Sequence, residues 1–241
     1  MTENTEYKGI IIVHEDNHII VVVKPQNIPS QADESTDPDM LSLLKEYIKE
    51  KYNKEGDVFL GLVHRLDRPT GGVMVFARTS KAAERLCESL KSGDFEKKYM
   101  AIVQGIPREK QDRLTHYLIK NEFRNIVQVA PMTSTGAKLA ELDYKVLTDK
   151  NGMSLVMIKL LTGRSHQARV QMATIGTPII GDAKYGKEEK IKSNLALWAV
   201  EIKFTHPTTK EKMTFRVYPP ETEYPWKLFD LDMFLRININ Y

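Results

Sequence analysis

The sequence lacks most of the features that mark exported, membrane-bound or disulfide-linked proteins. Cys87 is its single cysteine among 241 residues, so an internal disulfide cannot form and a reducing, cytoplasmic setting is expected. No apolar run approaches the roughly 18 residues that span a bilayer, so we expect no membrane partner. Residues 1–10, MTENTEYKGI, lack the basic and apolar regions of a signal peptide, and this predicts that the chain is not exported.

Motifs for metals and nucleotides are missing as well. The six histidines (His14, His18, His64, His116, His166 and His206) are scattered, apart from the first two, which flank a hairpin turn. This spacing predicts no metal site. No GxGxxG occurs, and the TGG at 70–72 lacks the Lys-Ser/Thr of a phosphate-binding loop. No G-x-S-x-G nucleophile elbow is present, which is evidence against a serine hydrolase.

A strong excess of charge is also missing. The formal net charge is +3, which permits an anionic partner without requiring one. Basic residues gather at two places, Lys97 with Lys98, and a second group of Lys184, Lys187, Lys190 and Lys192 that Glu188 and Glu189 interrupt. Charge alone favours solvated faces over a nucleic-acid interface.

What the sequence does contain is a series of short β-branched and alternating runs. They predict strands at 10–13, 19–23, 73–77, 99–103, 114–119, 126–130, 137–146, 153–161, 196–204 and 213–218. Helices are predicted at 41–52, at 80–91, after TGRSHQ and at 225–235. Because helices and strands do not alternate regularly, we expect an α+β fold with a mixed, largely antiparallel β-sheet core, flanking helices and one domain over 1–241.

The predicted helix at 80–91 gives the lone cysteine a structural interpretation. Ser80 is a candidate N-cap residue. Ala83, Leu86, Cys87 and Leu90 share one face at helical spacing, so Cys87 is most simply a core residue.

The first stretch with chemical potential is HRLDRPTGG at 64–72. It places Asp67 between Arg65 and Arg68 at a turn between two apolar runs. A nearby guanidinium favours the charged form of a carboxyl group and would keep a nucleophile ionised. A structural ion pair that anchors the turn explains the same residues, and for an isolated RLDR it is the more common case.

The second stretch is LLTGRSHQARVQMATIGTPIIGDAKYG at 160–186. Thr162 and Gly163 are predicted to end a strand, and the residues 164–166 are predicted to open a helix. Arg164 at this junction would project from the end of the sheet, where ligands often bind. A helix cap with surface charge is the alternative.

Together these stretches resemble the RluA family of RNA pseudouridine synthases. The resemblance rests on VVVKPQNIPSQ (21–31), HRLDRPTGG (64–72), EKKYMAIVQG (96–105) and LTGRSHQARVQ…GTPIIGDAKYG (161–186), in this order and spacing. The early position of VVVKP predicts a member without an N-terminal S4-like RNA-binding domain.

The resemblance implies both an activity and site residues. Members isomerise uridine to pseudouridine in structured RNA, ribosomal or transfer, without metal or cofactor. The catalytic aspartate falls on Asp67, the active-site tyrosine on Tyr99 and the arginine that pairs with the aspartate on Arg164. RNA-binding or supporting roles are expected for the remaining polar residues of these motifs: His64, Arg65, Arg68, Lys97, His166 and Arg169.

Three positions depart from the family pattern. Gly71 replaces a usual serine, Ala168 a common Ile or Leu, and Gln171 a frequent histidine. None removes the carboxylate, the ring or the guanidinium, so we expect differences in substrate fit. Two alternatives stay open, a non-catalytic RNA-binding module of the same fold and a hydrolase of nucleoside N-glycosidic bonds.

Overall fold

A computed structural model describes residues 5–186 and 193–235. Most of the second basic group, with Lys187, Lys190 and Lys192, therefore lies outside the described residues. Lys184 lies inside them, and its ammonium donates to the carbonyl of Asn125 at 2.6 Å.

In chain order the structure has twelve strands and four α-helices in its described part. The strands are β1 (Thr5–Tyr7), β2 (Ile10–Glu15), β3 (Ile19–Lys24), β4 (Gly61–Leu62), β5 (Gly71–Ala77), β6 (Glu96–Gln104), β7 (Gln111–Asn121), β8 (Ile126–Val129), β9 (Lys138–Lys150), β10 (Met153–Leu160), β11 (Leu197–Thr205) and β12 (Lys212–Arg216). The helices are α1 (Met40–Tyr52), α2 (Ser80–Ser92), α3 (Gln167–Thr174) and α4 (Asp232–Leu235). None of the helices described has the length and apolar character of a membrane span.

The chain forms two compact units, and each of them is discontinuous in sequence. The first unit contains the residues up to Glu96 together with Ala199–Val217. The second contains Lys97–Trp198 and the residues from Tyr218 onward. The expectation that the chain is one domain stays a prediction.

The first unit is a sheet whose central strands, β3, β5 and β11, are buried along most of their length. Its strand order is β1-β2-β3-β5-β11, with β4 beside β5 and β12 beside β11. The pairs β1–β2, β2–β3, β3–β5, β4–β5 and β11–β12 are antiparallel. Every residue of β5 is buried, because α2 packs against this strand. The prediction of a largely antiparallel, mixed sheet with few helices is confirmed.

The two helices of the first unit begin at side-chain caps. Asp39 caps α1 by accepting from the N–H groups of Leu41 and Ser42 at 3.0 and 3.2 Å. Thr79 caps α2 by accepting from the N–H of Ala82 at 3.2 Å, so the expectation that Ser80 would do so is wrong. Cys87 is only half-buried, because the inner face of α2 centres on Ala82 and Leu86.

The second unit is an antiparallel sheet with one helix laid against it. Its strand order is β6-β10-β9-β7-β8, and the strands pair through long registers. Val170 of α3 packs on Leu118, Val127 and Ala140 of the sheet. The sheet and α3 therefore form one core, from which the turn before α3 extends.

Two expectations for helices in the second unit are wrong in detail. Residues 164–166 do not open the helix, which begins at Gln167, because His166 adopts a left-handed conformation with φ of 52°. The predicted helix at 225–235 is a 3-10 turn at Trp226–Leu228 and the short α4. Phe229 has an extended backbone and separates the two.

Candidate active site

Asp67 sits at the start of a tight turn between β4 and β5 in the first unit. Its carbonyl accepts from the N–H of Thr70 at 2.9 Å, and its side chain is half-buried. The preceding residue, Leu66, is held by Ser30, whose hydroxyl accepts from the Leu66 N–H at 3.1 Å and donates to the Leu66 carbonyl at 2.8 Å. The backbone that carries the carboxylate is therefore fixed on both sides.

A buried lysine, Lys24, donates hydrogen bonds to the backbone of this turn. The Lys24 side chain is 0% exposed, and its ammonium donates to the carbonyls of Pro25, Arg68 and Thr70 at 2.9, 3.1 and 2.8 Å. Burial lowers the pKa of Lys24 to about 7, while the negative charge of Asp67 acts to raise it. Lys24 thus couples the turn to the end of β3 and is in electrostatic interaction with the candidate nucleophile.

Lys24 was not singled out from the sequence. The available signal was a lone charged residue directly after the apolar run IIVVV, in the VVVKP segment. A charged side chain at the end of a buried strand needs hydrogen-bond partners. The sequence does not show that two of these partners are carbonyls more than 40 residues away.

Arg68 binds the long loop after β3. Its guanidinium donates to Ser35 at 3.1 Å, pairs with Asp37 and lies 3.6 Å from Asp33. Its Nε donates to the Asn27 carbonyl at 3.2 Å. Arg68 therefore ties the loop to the turn, which is a supporting geometry.

His64 and Arg65 precede Asp67 on the same segment. The Nε2 of His64 accepts from the Val75 N–H at 3.2 Å, and its ring lies against Phe95. This fixes His64 to β5. The Arg65 side chain is exposed.

Tyr99 and Lys97 lie on β6 in the second unit. Tyr99 pairs with Ile158 of β10 and is 7% exposed. Lys97 is half-buried. Because side chains alternate along a strand, residues two apart point to the same face, so Lys97 and Tyr99 share one face of β6.

The turn that carries Arg164 is held by the first residue of α3. Gln167 Oε1 accepts from the hydroxyl of Thr162 at 2.7 Å and from the N–H of Arg164 at 2.9 Å. Gln167 Nε2 donates to the carbonyl of Glu141 at 2.9 Å. The Arg164 side chain is exposed, and its Nε donates to the carbonyl of Leu139 at 2.8 Å. Gln167 is a second residue that sequence reasoning missed, although it stands in the SHQ segment.

Arg169 and His166 lie behind this turn. The guanidinium of Arg169 is 3% exposed and binds both carboxylate oxygens of Asp182, at 2.8 and 2.7 Å. Burial raises the pKa of Asp182, but the hydrogen bonds and charge of Arg169 outweigh it and lower the pKa overall. His166 Nδ1 lies 2.7 Å from the hydroxyl of Tyr185. Both residues connect α3 to the 182–186 segment, a supporting geometry.

Two of the three departures from the family pattern lie in the core around α3. Ala168 is buried, and Gln171 is 0% exposed. Gln171 Nε2 donates to the carbonyls of Leu114 and Ala140 at 2.9 and 3.2 Å. The third, Gly71, is buried in β5. The three departures from the family pattern therefore lie at buried positions.

The candidate residues divide between the units. Asp67, His64, Arg65 and Arg68 belong to the first, whereas Tyr99, Arg164, Lys97, His166 and Arg169 belong to the second. The pairing of Asp67 with Arg164 stays a prediction. Among the residues described, no group of three His, Cys, Asp or Glu side chains is placed to hold a metal ion.

Curated relatives match most of the chain. An uncharacterized RNA pseudouridine synthase of Bacillus subtilis, YhcT, is 32% identical over 209 residues, which are 86% of this chain and 67% of the relative. Ribosomal large subunit pseudouridine synthase C of Buchnera aphidicola is 32% identical over 220 residues, 87% of this chain and 68% of the relative. The dual-specificity RNA pseudouridine synthase RluA of Escherichia coli is 32% identical over 213 residues, 86% of this chain and 92% of the relative.

A solved structure and a family model agree with these relatives. The human RNA pseudouridylate synthase domain containing 4 protein has the same fold, with a TM-score of 0.73 at 23% identity, over 87% of this chain and 88% of that one. The family model of RNA pseudouridylate synthases matches residues 18–174. This match covers both the Asp67 turn and the Arg164 turn. The chain belongs to the RNA pseudouridylate synthase family, as a relative of RluA, and is an isomerase.

Proposed function

We propose that this enzyme converts uridine to pseudouridine within structured RNA, with Asp67 as the nucleophile, Tyr99 as a stacking partner for the base and Arg164 as the cation that orients the carboxylate. No metal or cofactor takes part in this scheme. The observation that carries the proposal is the Asp67 turn. Its half-buried carboxylate follows a backbone segment held by Ser30, and it interacts electrostatically with the buried Lys24.

The physical reason for such a turn is preorganisation. A nucleophile must be held ionised and in one position before its substrate arrives, because reorganising it during the reaction would raise the barrier. The hydrogen bonds of Lys24 and Ser30 to the turn restrict the backbone, and Lys24 interacts electrostatically with Asp67. The backbone of Asp67 is therefore held in one position, and its side chain interacts with a nearby cation.

The reaction begins with extrusion of the uridine from its stack, which costs a few kcal/mol. An aromatic side chain regains part of this cost, since stacking one base contributes about 1–3 kcal/mol. In our scheme the Asp67 carboxylate adds to the nucleoside as the bond between N1 of uracil and C1′ breaks. The uracil rotates, and its C5 bonds to C1′ while the bond to Asp67 is released. C5 then loses a proton and N1 gains one. Atoms are conserved and no electrons are exchanged with a partner.

For the substrate we propose large-subunit ribosomal RNA or transfer RNA. One relative is named for the large ribosomal subunit and another for dual specificity on RNA. The exposed Arg65 and Arg164 offer cations to such a polyanion. With a single cysteine and this class of substrate, we place the enzyme in the cytoplasm.

Pseudouridine mapping of total RNA from cells with and without this protein tests the proposal. We expect at least one uridine whose pseudouridine signal disappears in the deletion strain and returns when the purified enzyme is added to that RNA. Identical maps in both strains, together with an inert purified enzyme, would remove the proposal. Free uracil and abasic sites in place of pseudouridine would show an N-glycosidic hydrolase.

A further inference from the structure

Lys97 is a desolvated cation that the protein itself does not compensate. Its side chain is half-buried, and burial lowers its pKa. Within residues 5–186 and 193–235, no hydrogen bond or ion pair reaches its ammonium. By contrast, the fully buried ammonium of Lys24 donates to three carbonyl oxygens. Removing a cation from water without a partner costs free energy, so the position of Lys97 calls for a compensating function.

The location of the ammonium indicates what that function is. A Cβ atom placed on Gly163 would lie 3.4 Å from the Lys97 nitrogen. The ammonium therefore lies against the backbone of the residue directly before Arg164. Lys97 also shares a face of β6 with Tyr99, two residues along the strand. Lys97, Tyr99 and Arg164 thus all belong to the second unit, and the Lys97 ammonium lies beside the turn that carries Arg164.

An anionic ligand would complete this arrangement. Its charge would favour the ammonium form, and a charge-assisted hydrogen bond would replace the water that Lys97 has lost. Every nucleotide in RNA carries such an anion, the phosphodiester, within a few ångströms of its base. A compact ammonium with three donors binds a single phosphate oxygen well, because it requires no planar partner.

We propose that Lys97 binds a backbone phosphate of the RNA, beside the uridine that stacks on Tyr99. This assignment rests on the proposed function and specifies one contact within it. Lys97 is then a binding residue, whereas Lys24 supports the fold. The two lysines can be distinguished because only Lys97 should affect how RNA affinity depends on salt.

The test compares Lys97→Gln with Lys97→Arg and with Lys150→Gln as a matched control. Lys150 is exposed and is the last residue of β9, at the hairpin that leads into β10. Gly163, which the Lys97 ammonium approaches, follows the other end of β10. Both glutamine variants remove one positive charge from the same unit. Circular dichroism and melting temperature first establish that each variant is folded, and Lys97→Met replaces Lys97→Gln if the latter is not.

The measurement is RNA affinity as a function of salt concentration, in an Asp67→Asn background to prevent turnover. Loss of one phosphate contact lowers the magnitude of the slope of log K against log salt by about 0.7 for single-stranded RNA. We expect this decrease in Lys97→Gln, with an affinity loss of about tenfold. Lys150→Gln should keep the wild-type slope. Lys97→Arg should restore both quantities, because a guanidinium also binds phosphate.

The RNA is a transcript that contains the mapped uridine, and pentauridylate is the probe if mapping identifies none. The assignment of Lys97 is therefore tested even if the proposed function fails. Equal slopes in Lys97→Gln, Lys150→Gln and the wild type would overturn it. It is also overturned if Lys97→Arg fails to restore the slope and the affinity although the variant is folded, since a guanidinium should replace the ammonium at a phosphate.

Discussion

The ammonium of Lys24 lies 2.8 Å from the carbonyl oxygen of Thr70, and 46 residues separate the two in sequence. Together with the bonds to Pro25 and Arg68 it uses all three hydrogens of the ammonium. Two of these three carbonyls lie in the turn that Asp67 begins. The position of the candidate nucleophile thus depends on a charge buried under the turn.

Replacing Asp67 by asparagine should abolish pseudouridine formation. The side chains are nearly equal in size, so the fold and RNA affinity should be retained while the nucleophilic carboxylate is lost. Product is measured by mass spectrometry of digested RNA, and affinity by filter binding. A variant with substantial turnover would rule out Asp67 as the nucleophile. Asp57→Asn, in the exposed segment before β4, is the control for the same chemical change.

Replacing Lys24 by methionine should change how stability depends on pH. Lys24 has an ordinary pKa of 10.5 and a folded pKa of about 7. Between these values the unfolded chain holds one proton more than the folded chain, so the free energy of unfolding should rise with pH. The rise should be on the order of a few kcal/mol and absent from Lys24→Met.

Denaturant unfolding at several pH values from 6 to 10 measures this difference, roughly spanning the window of the pKa shift. Only the difference between wild type and variant is informative, because all other titrating groups are the same in both proteins. A constant difference across the range would show that the three carbonyls hold Lys24 charged throughout.

Replacing Gln167 by leucine should loosen the turn that presents Arg164. The hydroxyl of Thr162 and the N–H of Arg164 would lose their acceptor, at a cost of about 1–3 kcal/mol. We expect a lower melting temperature and slower turnover. Gln128→Leu, at an exposed site on β8, makes the same chemical change and should leave both unchanged. Unaltered turnover in a destabilised Gln167→Leu would show that the turn need not be rigid.

Replacing Gly72 by alanine should destabilise the first unit strongly. Its φ is 123°, and an added Cβ would lie 2.3 Å from the carbonyl oxygen of Ala199. Backbone strain and overlap with a neighbouring strand together should cost more than about 3 kcal/mol. Gly56 has a φ of 82° with nothing within 4 Å, so Gly56→Ala isolates the cost of conformation, about 1 kcal/mol. Similar melting temperatures for the two variants would contradict this account.

Local patterns predicted much of the fold. The β-branched run 19–23 and the alternation in 137–146 correspond to β3 and β9. A strand buried on both faces has a continuous apolar run, and a strand buried on one face has a period of two. The absence of a regular alternation of strand and helix predicted the α+β class. Helix ends were less accurate, since the caps at Thr79 and His166 depend on backbone conformation.

By itself, the sequence determined the strand-rich fold class, the two motif-bearing turns and the family that they indicate, because these depend on neighbouring residues. Tertiary structure decided what holds each turn in place. Lys24 donates a hydrogen bond to the Asp67 turn from 46 residues away. Gln167 accepts one from Arg164, three residues before it, and Arg169 is buried against Asp182, 13 residues after it. Burial determines which polar groups need partners, and only the folded chain determines which partners come within reach.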